Sequence, residues 1–140
     1  MEIRERILKE TGDLFVRNGI KNVTMDTIAN QMGISKRTIY ENFKDKDDLV
    51  ESVILAGAAY HKSQCFKHVE ESSNVIEAIF KIGKTNHNTF GRINPLFFID
   101  LKKYHFNTYN KLVESGDFRD TRLTYTLLER GQSEGLFRAN

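Results

Sequence analysis

The sequence has few of the residues that would indicate a disulfide-stapled or membrane-spanning chain. Its 140 residues include one cysteine, Cys65, one proline and no tryptophan. A single cysteine excludes an intrachain disulfide, and no apolar run reaches the roughly 18 residues that a membrane-spanning helix needs. No signal-like segment stands at the N-terminus. We therefore expect a cytoplasmic protein with no membrane partner.

Net charge also gives little indication of a partner. Lysine and arginine number 21, aspartate and glutamate 19, and the formal net charge is +2. Bulk electrostatics of this size cannot support binding to nucleic acid, so any such binding must use a local cationic surplus. A small surplus does occur between residues 35 and 46, where four bases face two acids: Lys36, Arg37, Lys44 and Lys46 against Glu41 and Asp45.

Motifs that carry catalysis are missing as well. The sequence has no glycine-rich phosphate loop and no nucleophile elbow, so we predict neither enzymatic activity nor a cofactor. A metal site is one alternative, because His61, Cys65 and His68 are spaced i, i+4, i+7 and could share a helix face as ligands of a soft metal. No fourth ligand follows at a recognisable spacing. We therefore predict no metal site.

Two short helical patterns separated by a glycine are the main positive feature. Apolar residues recur at i, i+3, i+4 and i+7 from Met25 to Met32, and a second apolar face follows Lys36. Gly33 between them can adopt the left-handed conformation of a tight turn without steric strain. This spacing predicts a helix-turn-helix. We call residues 24–43 the reader.

The polar residues of the reader indicate an anionic partner. Thr24 and Ser35 are suited to cap its two helices. Lys36, Arg37 and Thr38 would then occupy the first turn of the second helix, where the helix dipole prefers acids. Phosphates and guanine edges in a major groove would favour cations there. The alternative is an ordinary solvated helix end that carries two basic residues.

The segment TMDTIANQMGISKRTIYENFKDKDDLV, residues 24–50, closely resembles the DNA-binding segment of the TetR family of bacterial transcriptional regulators. The match extends from about Ile3 to the start of the helix after Lys46. The resemblance implies an all-α homodimer with an N-terminal three-helix DNA-binding domain and a helical ligand-binding and dimerisation domain. Its implied partners are double-stranded DNA with a palindromic operator and a small-molecule inducer. We expect a repressor that a ligand releases from DNA.

The resemblance also completes the set of predicted DNA-binding residues. In the family the positions of Thr24, Tyr40 and Lys46 lie beside the DNA backbone, which implies phosphate contacts for these three residues. Asn42 could pair with adenine, although a surface asparagine is the commoner outcome. The predicted DNA-binding residues are Thr24, Ser35, Lys36, Arg37, Thr38, Tyr40 and Lys46.

Helical patterns continue through the rest of the chain. We predict a first helix over residues 3–18 and a long helix from Lys46 to Phe66 or Val69, with Asp45 as the N-cap of the long helix. Three later helices are predicted: one over residues 75–90, a short one that begins at Pro95, and one over residues 107–134. Gly116 is a possible irregularity in the last of these. In the helix over residues 75–90, apolar Ile76, Ile79 and Phe80 should join Val75 and Ile82 on the buried side. The predicted domains are residues 1–45 and residues 46–140, and we call the second the body.

A ligand pocket is expected between helices of the body. Aromatic residues there could line a cavity, with histidines as polar contacts, although aromatics at helical spacing are more often core. The predicted ligand-binding residues are Phe66, His87, Phe90, Phe97 and Tyr104, with Phe98 and His105 as further candidates.

Family members usually continue for two more helices that build most of the dimer interface. We therefore expect the body to lack these helices and to expose an apolar patch that self-associates. The residues expected in this patch are Phe118, Leu123, Leu127 and Leu128. The alternative function is a degenerate or truncated helical module that acts in protein interaction without specific operator binding.

Overall fold

The computed structural model describes residues 1–114 and 121–138, and within these ranges it contains eight α-helices and no strand. The helices are α1 (Ile3–Asn18), α2 (Met25–Met32), α3 (Lys36–Asn42), α4 (Lys46–Glu71), α5 (Val75–Phe90), α6 (Leu96–Tyr104), α7 (Phe106–Glu114) and α8 (Arg122–Ser133). The predicted all-α class is confirmed. None of the described helices combines the length and the apolar composition that crossing a bilayer requires.

Side-chain caps set the starts of α2, α3 and α4. Thr24, Ser35 and Asp45 each accept a hydrogen bond from the amide three residues later, at 3.1, 3.1 and 2.8 Å. Each bond satisfies one of the amides that a helix leaves without an internal partner. The three N-caps predicted from the sequence are therefore confirmed.

One apolar core joins the reader to the body. Phe15 of α1, Ile28 of α2 and Ile39 of α3 are completely buried in the same cluster as Leu49 of α4 and Leu101 of α6. The predicted boundary after residue 45 therefore falls inside a shared core. Movement of α4 or α6 must change the packing beneath the reader, since a close-packed interior transmits displacement.

Arginine and glutamate side chains at the end of α8 close the turn between α4 and α5. The Arg130 guanidinium donates to the carbonyls of Val69 and Ser72, at the C-terminal end of α4. Glu134 accepts from the amide of Val75 at 2.9 Å, at the start of α5, and also pairs with Arg130 at 2.7 Å. Cationic and anionic groups thus lie at the helix ends whose dipoles they complement.

Three expectations for the body were wrong. The long helix α4 extends to Glu71, and the region after residue 106 forms α7 and α8 rather than one helix, because Thr121 is not helical and precedes a new start at Arg122. Gly116 lies outside the described residues. On α5 the buried side is Val75, Ala78 and Ile82, whereas Ile76, Ile79 and Phe80 are exposed.

The apolar patch expected on α8 is also smaller than predicted. Leu123 and Leu127 are half-buried and pack against the cluster of Cys65, Val69 and Ile82. Leu128 is exposed, as expected. Phe118 lies outside the described residues. Exposed apolar side chains of the body therefore occur on the outer side of α5, on α6 and on part of α8.

Candidate nucleic-acid interface and ligand cavity

The turn of the reader has the geometry that its sequence predicts. Gly33 has φ 65° and ψ 34°, the left-handed conformation, and the amide of Ile34 donates to the carbonyl of Ala29 at 3.0 Å. Ala29 is buried at the contact between the two helices. The turn satisfies carbonyls at the end of α2, and Ser35 then caps the start of α3. These hydrogen bonds fix the position of α3 relative to α2.

The exposed face of the reader carries most of the predicted DNA-binding residues. Ser35, Lys36 and Arg37 lie at the start of α3, where Lys36 and Arg37 are exposed and Ser35 caps the helix. Tyr40 is 50% exposed, and Ile39 beside it is fully buried. The cationic side chains in the first turn of α3 therefore point away from the core, as a recognition helix requires.

Two exposed carboxylates hold the cations of α3. Lys36 Nζ lies 3.2 Å from Asp26 Oδ1, across the turn on α2, and Arg37 Nε lies 3.1 Å from Glu41 Oε1, one turn later on α3. The first pair brings Lys36 beside the start of α2, which Thr24 caps. Both pairs are exposed and weak, so phosphate or a base edge can replace the carboxylates. The Arg37–Glu41 pair has the i, i+4 spacing that sequence could have shown.

Arg4 of α1 supports the far end of α3, a role that sequence analysis missed. Its Nη1 donates to the carbonyl of Asn42 at 2.6 Å, and its guanidinium lies 4.3 Å from the ring centroid of Phe43. Asn42 in turn donates from its side chain to the carbonyl of Thr38 at 2.9 Å. The Asn42 amide is therefore engaged within its own helix.

Lys46, at the first position of α4, points partly inward. Its Nζ donates to the carbonyl of Ile20 at 3.0 Å, and burial lowers the pKa of Lys46 despite the opposing charges of Asp100 and Asp47. An ammonium group has three donors, so this bond leaves two for other acceptors. A phosphate contact by Lys46 remains a prediction.

Asp100 of α6 holds the loop that leads into the reader. This carboxylate is 7% exposed, and its Oδ2 accepts hydrogen bonds from the amides of Ile20 and Lys21, both at 3.0 Å. Gly19 has a φ of 79°, and a Cβ on it would lie 2.9 Å from the same Oδ2 and from Leu96 Cβ. Glycine at this position thus permits the close approach of α6.

Asn94, just before α6, adds two further bonds to the end of α1. Its amide donates to the carbonyl of Val16 at 2.8 Å, and its side chain donates to the carbonyl of Arg17 at 3.1 Å. We call residues 16–21 and 94–100 together the α1–α6 joint. The joint connects the body to the end of α1 through these two bonds and to the loop before α2 through the two bonds that Asp100 accepts.

A largely apolar cavity of about 430 Å³ lies beside the joint, lined by residues of α1, α4, α5, α6, α7 and α8. Phe66, Phe90 and Phe97 line it, as predicted, and so does Phe98. This volume lies within the range of small-molecule sites, roughly 300 to 1,000 Å³. The structure thus brings four of the predicted aromatic residues to one cavity.

The other predicted ligand-binding residues lie elsewhere. His87 is exposed on α5 and does not line the cavity. Tyr104 is exposed at the end of α6, where hydrogen bonds from Lys21 and Lys103 lower the pKa of its hydroxyl. His105 Nδ1 lies 2.8 Å from Asp47 Oδ1, also outside the cavity.

Sequence analysis missed the polar residues that do line the cavity: His61, Lys62 and Cys65 on α4 with Asn86 and Thr89 on α5. His61 Nε2 lies 3.7 Å from Cys65 Sγ, and its ring meets that of Phe90 edge-on, with centroids 5.1 Å apart. Burial raises the pKa of the Cys65 thiol. The polar lining therefore comes from two adjacent helices, a pairing that the sequence pattern of either helix alone does not show.

The histidine–cysteine pattern on α4 does not converge on one point. His68 Nε2 lies 2.8 Å from Thr85 Oγ1, so this ring is engaged away from the cysteine. Within the two described ranges, no three metal-ligating side chains form a group that could hold an ion. The spacing that suggested a soft metal site therefore corresponds to two separate side-chain pairs.

Comparison with known proteins agrees with the geometry of the reader. The family model described as "Bacterial regulatory proteins, tetR family" matches residues 7–53. The uncharacterized HTH-type transcriptional regulator YvaF of Bacillus subtilis (strain 168) is 33% identical over 106 residues, which are 75% of this chain and 55% of the relative. The HTH-type transcriptional regulator SAB2452 of Staphylococcus aureus (strain bovine RF122 / ET3-1) is 43% identical over 82 residues, 59% of this chain and 44% of the relative. The chain thus spans about half the length of these curated relatives.

A solved structure shares the fold beyond the reader. The crystal structure of the TetR family transcriptional regulator PfmR from Thermus thermophilus matches with a TM-score of 0.68 and 22% identity, over 96% of this chain and 75% of that chain. Its helices therefore correspond to those of both the reader and the body. Residues 7–53 thus belong to the TetR family of bacterial regulatory proteins, and the helices beyond them share the fold of a TetR family regulator.

Proposed function

We propose that the chain is a sequence-specific DNA-binding transcriptional regulator that inserts α3 into the major groove. The observation that carries the proposal is the first turn of α3, where Lys36 and Arg37 are exposed on a helix whose other side is fixed in the core. In this proposal the two cations, with Thr38 and Tyr40, contact base edges and phosphates. The residues that would contact the DNA backbone are Thr24, Ser35 and Lys46.

The carboxylates that pair with these two cations are partners that DNA can replace. Without DNA, Asp26 and Glu41 are the ion-pair partners of Lys36 and Arg37. On DNA, phosphate or guanine would replace them, because exposed ion pairs contribute about 1 kcal/mol or less. Neither pair would then prevent binding.

The test is fluorescence anisotropy on duplexes selected from a randomised pool, with scrambled duplexes for comparison, at about 50 and about 200 mM salt. Exchanging both Lys36 and Arg37 for alanine should weaken binding of the selected duplex by about 1 to 3 kcal/mol per lost base contact. Lys46→Ala should weaken binding of all duplexes alike. Lys67→Ala is the matched control, because Lys67 is exposed on α4 in a similar pair with Glu71.

Unchanged affinity in both the Lys36/Arg37 double variant and Lys46→Ala would refute the assignment of the DNA-binding residues. No binding to any duplex would favour the alternative, a helical module that acts in protein interaction. The exposed apolar face of α5 is the observation that keeps this alternative open, with Phe80 77% exposed.

We also propose that a ligand in the cavity controls DNA binding and that the protein acts as a repressor that the ligand releases. Phe97 lines the cavity, and Asp100, three residues later on α6, binds the loop before the reader. A ligand that displaces Phe97 would therefore bias the position of the reader. Its effect is limited by the difference between its affinities for the two states.

A homodimer would complete this mechanism. Exposed apolar residues of α5, namely Ile76, Ile79 and Phe80, and of α8, namely Tyr125 and Leu128, offer surface on which two copies could associate. Two readers related by a two-fold axis would bind a palindromic operator with half-sites about 34 Å apart or a multiple of that distance.

A further inference from the structure

The lining of the cavity changes character along α4. Near the start of the lining, Val53 and Ile54 face apolar residues of α1 and α6, among them Val16 and Phe97. Eight residues after Val53, or about 12 Å at the helical rise, the lining is polar around His61, and it is apolar again at Phe66 further along α4 and at Ile82 of α5. A ligand that extends from Val53 to His61 therefore meets an apolar and a polar part of the lining, which an amphipathic molecule fits.

The polar part of the lining, around His61, offers hydrogen-bond donors and no carboxylate. His61 on α4 faces α5 there, where Asn86 is half-buried and Thr89 is exposed. Each of these three side chains can donate a hydrogen bond. Among the described residues that line the cavity there is no aspartate or glutamate, so a cationic group would be desolvated without a counter-charge.

The contact between His61 and Cys65 leaves a donor on the imidazole ring. His61 Nε2 lies 3.7 Å from Cys65 Sγ, so this contact engages one ring nitrogen. When the thiol is the donor of this contact, an uncharged imidazole carries its proton on the other nitrogen, Nδ1. That N–H is available to an acceptor on a ligand.

We propose that the cavity binds an amphipathic monocarboxylate, with its carboxylate held by His61, Asn86 and Thr89 and its apolar chain extending towards Val16 and Phe97. Because Thr89 is exposed, the carboxylate lies at the end nearer to solvent, and only the chain is fully withdrawn from water. The apolar end of the ligand contacts Phe97, on the helix that carries Asp100. This assignment rests on the proposed ligand control and names the chemical class of the ligand.

Isothermal titration calorimetry of the purified chain without DNA tests the ligand class directly. Three probes share one chain and differ in the head group: decanoate, decan-1-ol and decyltrimethylammonium. We expect decanoate to bind about tenfold or more tightly than the alcohol, since charge-assisted hydrogen bonds are the stronger ones, and the cation to bind least. Equal affinities for all three probes, or no binding of decanoate below its micelle concentration, would overturn the proposal.

Variants locate the head group. His61→Leu should reduce the affinity for decanoate by about tenfold and bring it close to that of the alcohol, whereas His61→Gln, which retains a donor, should recover most of the loss. His87→Leu is the matched control, because His87 is exposed on α5 and lies outside the cavity. An equal loss in the leucine and glutamine variants, or an equal loss in the control, would overturn the placement of the carboxylate.

Anisotropy measurements with DNA then test ligand control independently of the ligand class. Release of the selected duplex by decanoate would support both. Decanoate that binds with the expected preference but leaves DNA affinity unchanged would uphold the ligand class and refute ligand control.

Discussion

The carboxylate of Asp100 accepts a 3.0 Å hydrogen bond from the amide of Ile20, 80 residues earlier in the chain. The carbonyl of Ile20 is also engaged, because it accepts a hydrogen bond from Lys46 Nζ at 3.0 Å. Both backbone polar groups of this residue are thus fixed by side chains of the body. The loop before α2 cannot move without breaking one of these bonds or carrying α6 or α4 with it.

Replacing Asp100 should destabilise the fold. Asp100→Ala leaves the amides of Ile20 and Lys21 without their acceptor, and we expect a loss of about 1 to 3 kcal/mol in the free energy of unfolding. Asp100→Asn keeps an acceptor oxygen and should lose less. Urea denaturation followed by circular dichroism measures both changes. If the asparagine variant lost as much as the alanine variant, the negative charge rather than the acceptor would be the stabilising feature.

Removing the carboxylate beside Lys36 should strengthen binding to every DNA duplex alike, whatever its sequence. Asp26→Asn frees Lys36 and removes a negative charge from the reader, so affinity for every duplex should rise, by up to about fivefold for an exposed pair. Anisotropy at two salt concentrations measures the change. Glu70→Gln makes the same change of charge at an exposed position late in α4 and should have no effect. Weaker binding by the Asp26 variant would show that this carboxylate positions Lys36 productively.

The start of α5 should show a pH-dependent contribution from Glu77. Hydrogen bonds from Ser73, together with Lys81, lower the pKa of Glu77 from 4.5 to about 2. Because the pKa is lower in the folded state, the stabilisation is fully present above pH 4.5 and is lost as the pH falls towards 2.

Glu77→Gln should therefore have a lower Tm than the parent at neutral pH, and the difference should shrink as the pH falls below 4.5. Thermal denaturation at a series of pH values measures it. Glu70→Gln, which makes none of these contacts to Ser73, serves as the control. A difference in Tm that stays constant down to the acid limit would contradict the role of the ionised carboxylate.

Self-association should depend on the exposed face of α5. Phe80 is 77% exposed, and Phe80→Glu would place a charge in the apolar surface, so we expect the dissociation constant of the dimer to rise by about tenfold or more. Sedimentation equilibrium over a range of concentrations measures this. Tyr60→Glu makes a similar change at an exposed position on α4, 68% exposed and outside this face. A parent chain that is monomeric at all concentrations would refute the proposed dimer surface.

Features set by neighbouring residues could be predicted from the sequence. The caps at Thr24, Ser35 and Asp45 and the left-handed Gly33 each depend on a few consecutive residues, and the structure has all four. The start and end of α1 follow from its own apolar period for the same reason.

Features that depend on the rotation of a helix in the body could not be predicted. On α5, Ile76, Ile79 and Phe80 are exposed and the smaller Ala78 is buried, because neighbouring helices, and not the pattern, decide which face lies inward. That rotation also leaves His87 exposed and directs Asn86 to the cavity. Asp100 gave no local signal, since its two partners lie 80 and 79 residues away.

The core that the reader shares with the body makes the first half of the chain dependent on the second. A fragment of residues 1–45 would lose the residues that α4 and α6 contribute to this core, among them Leu49 and Leu101, and the remaining apolar contacts are too few for a stable fold on their own. The amides of α1 should then exchange with deuterated water as slowly as those of α4, because both open only when the whole core opens. Any ligand that binds tightly to the body would slow exchange in the reader as well, in the absence of DNA.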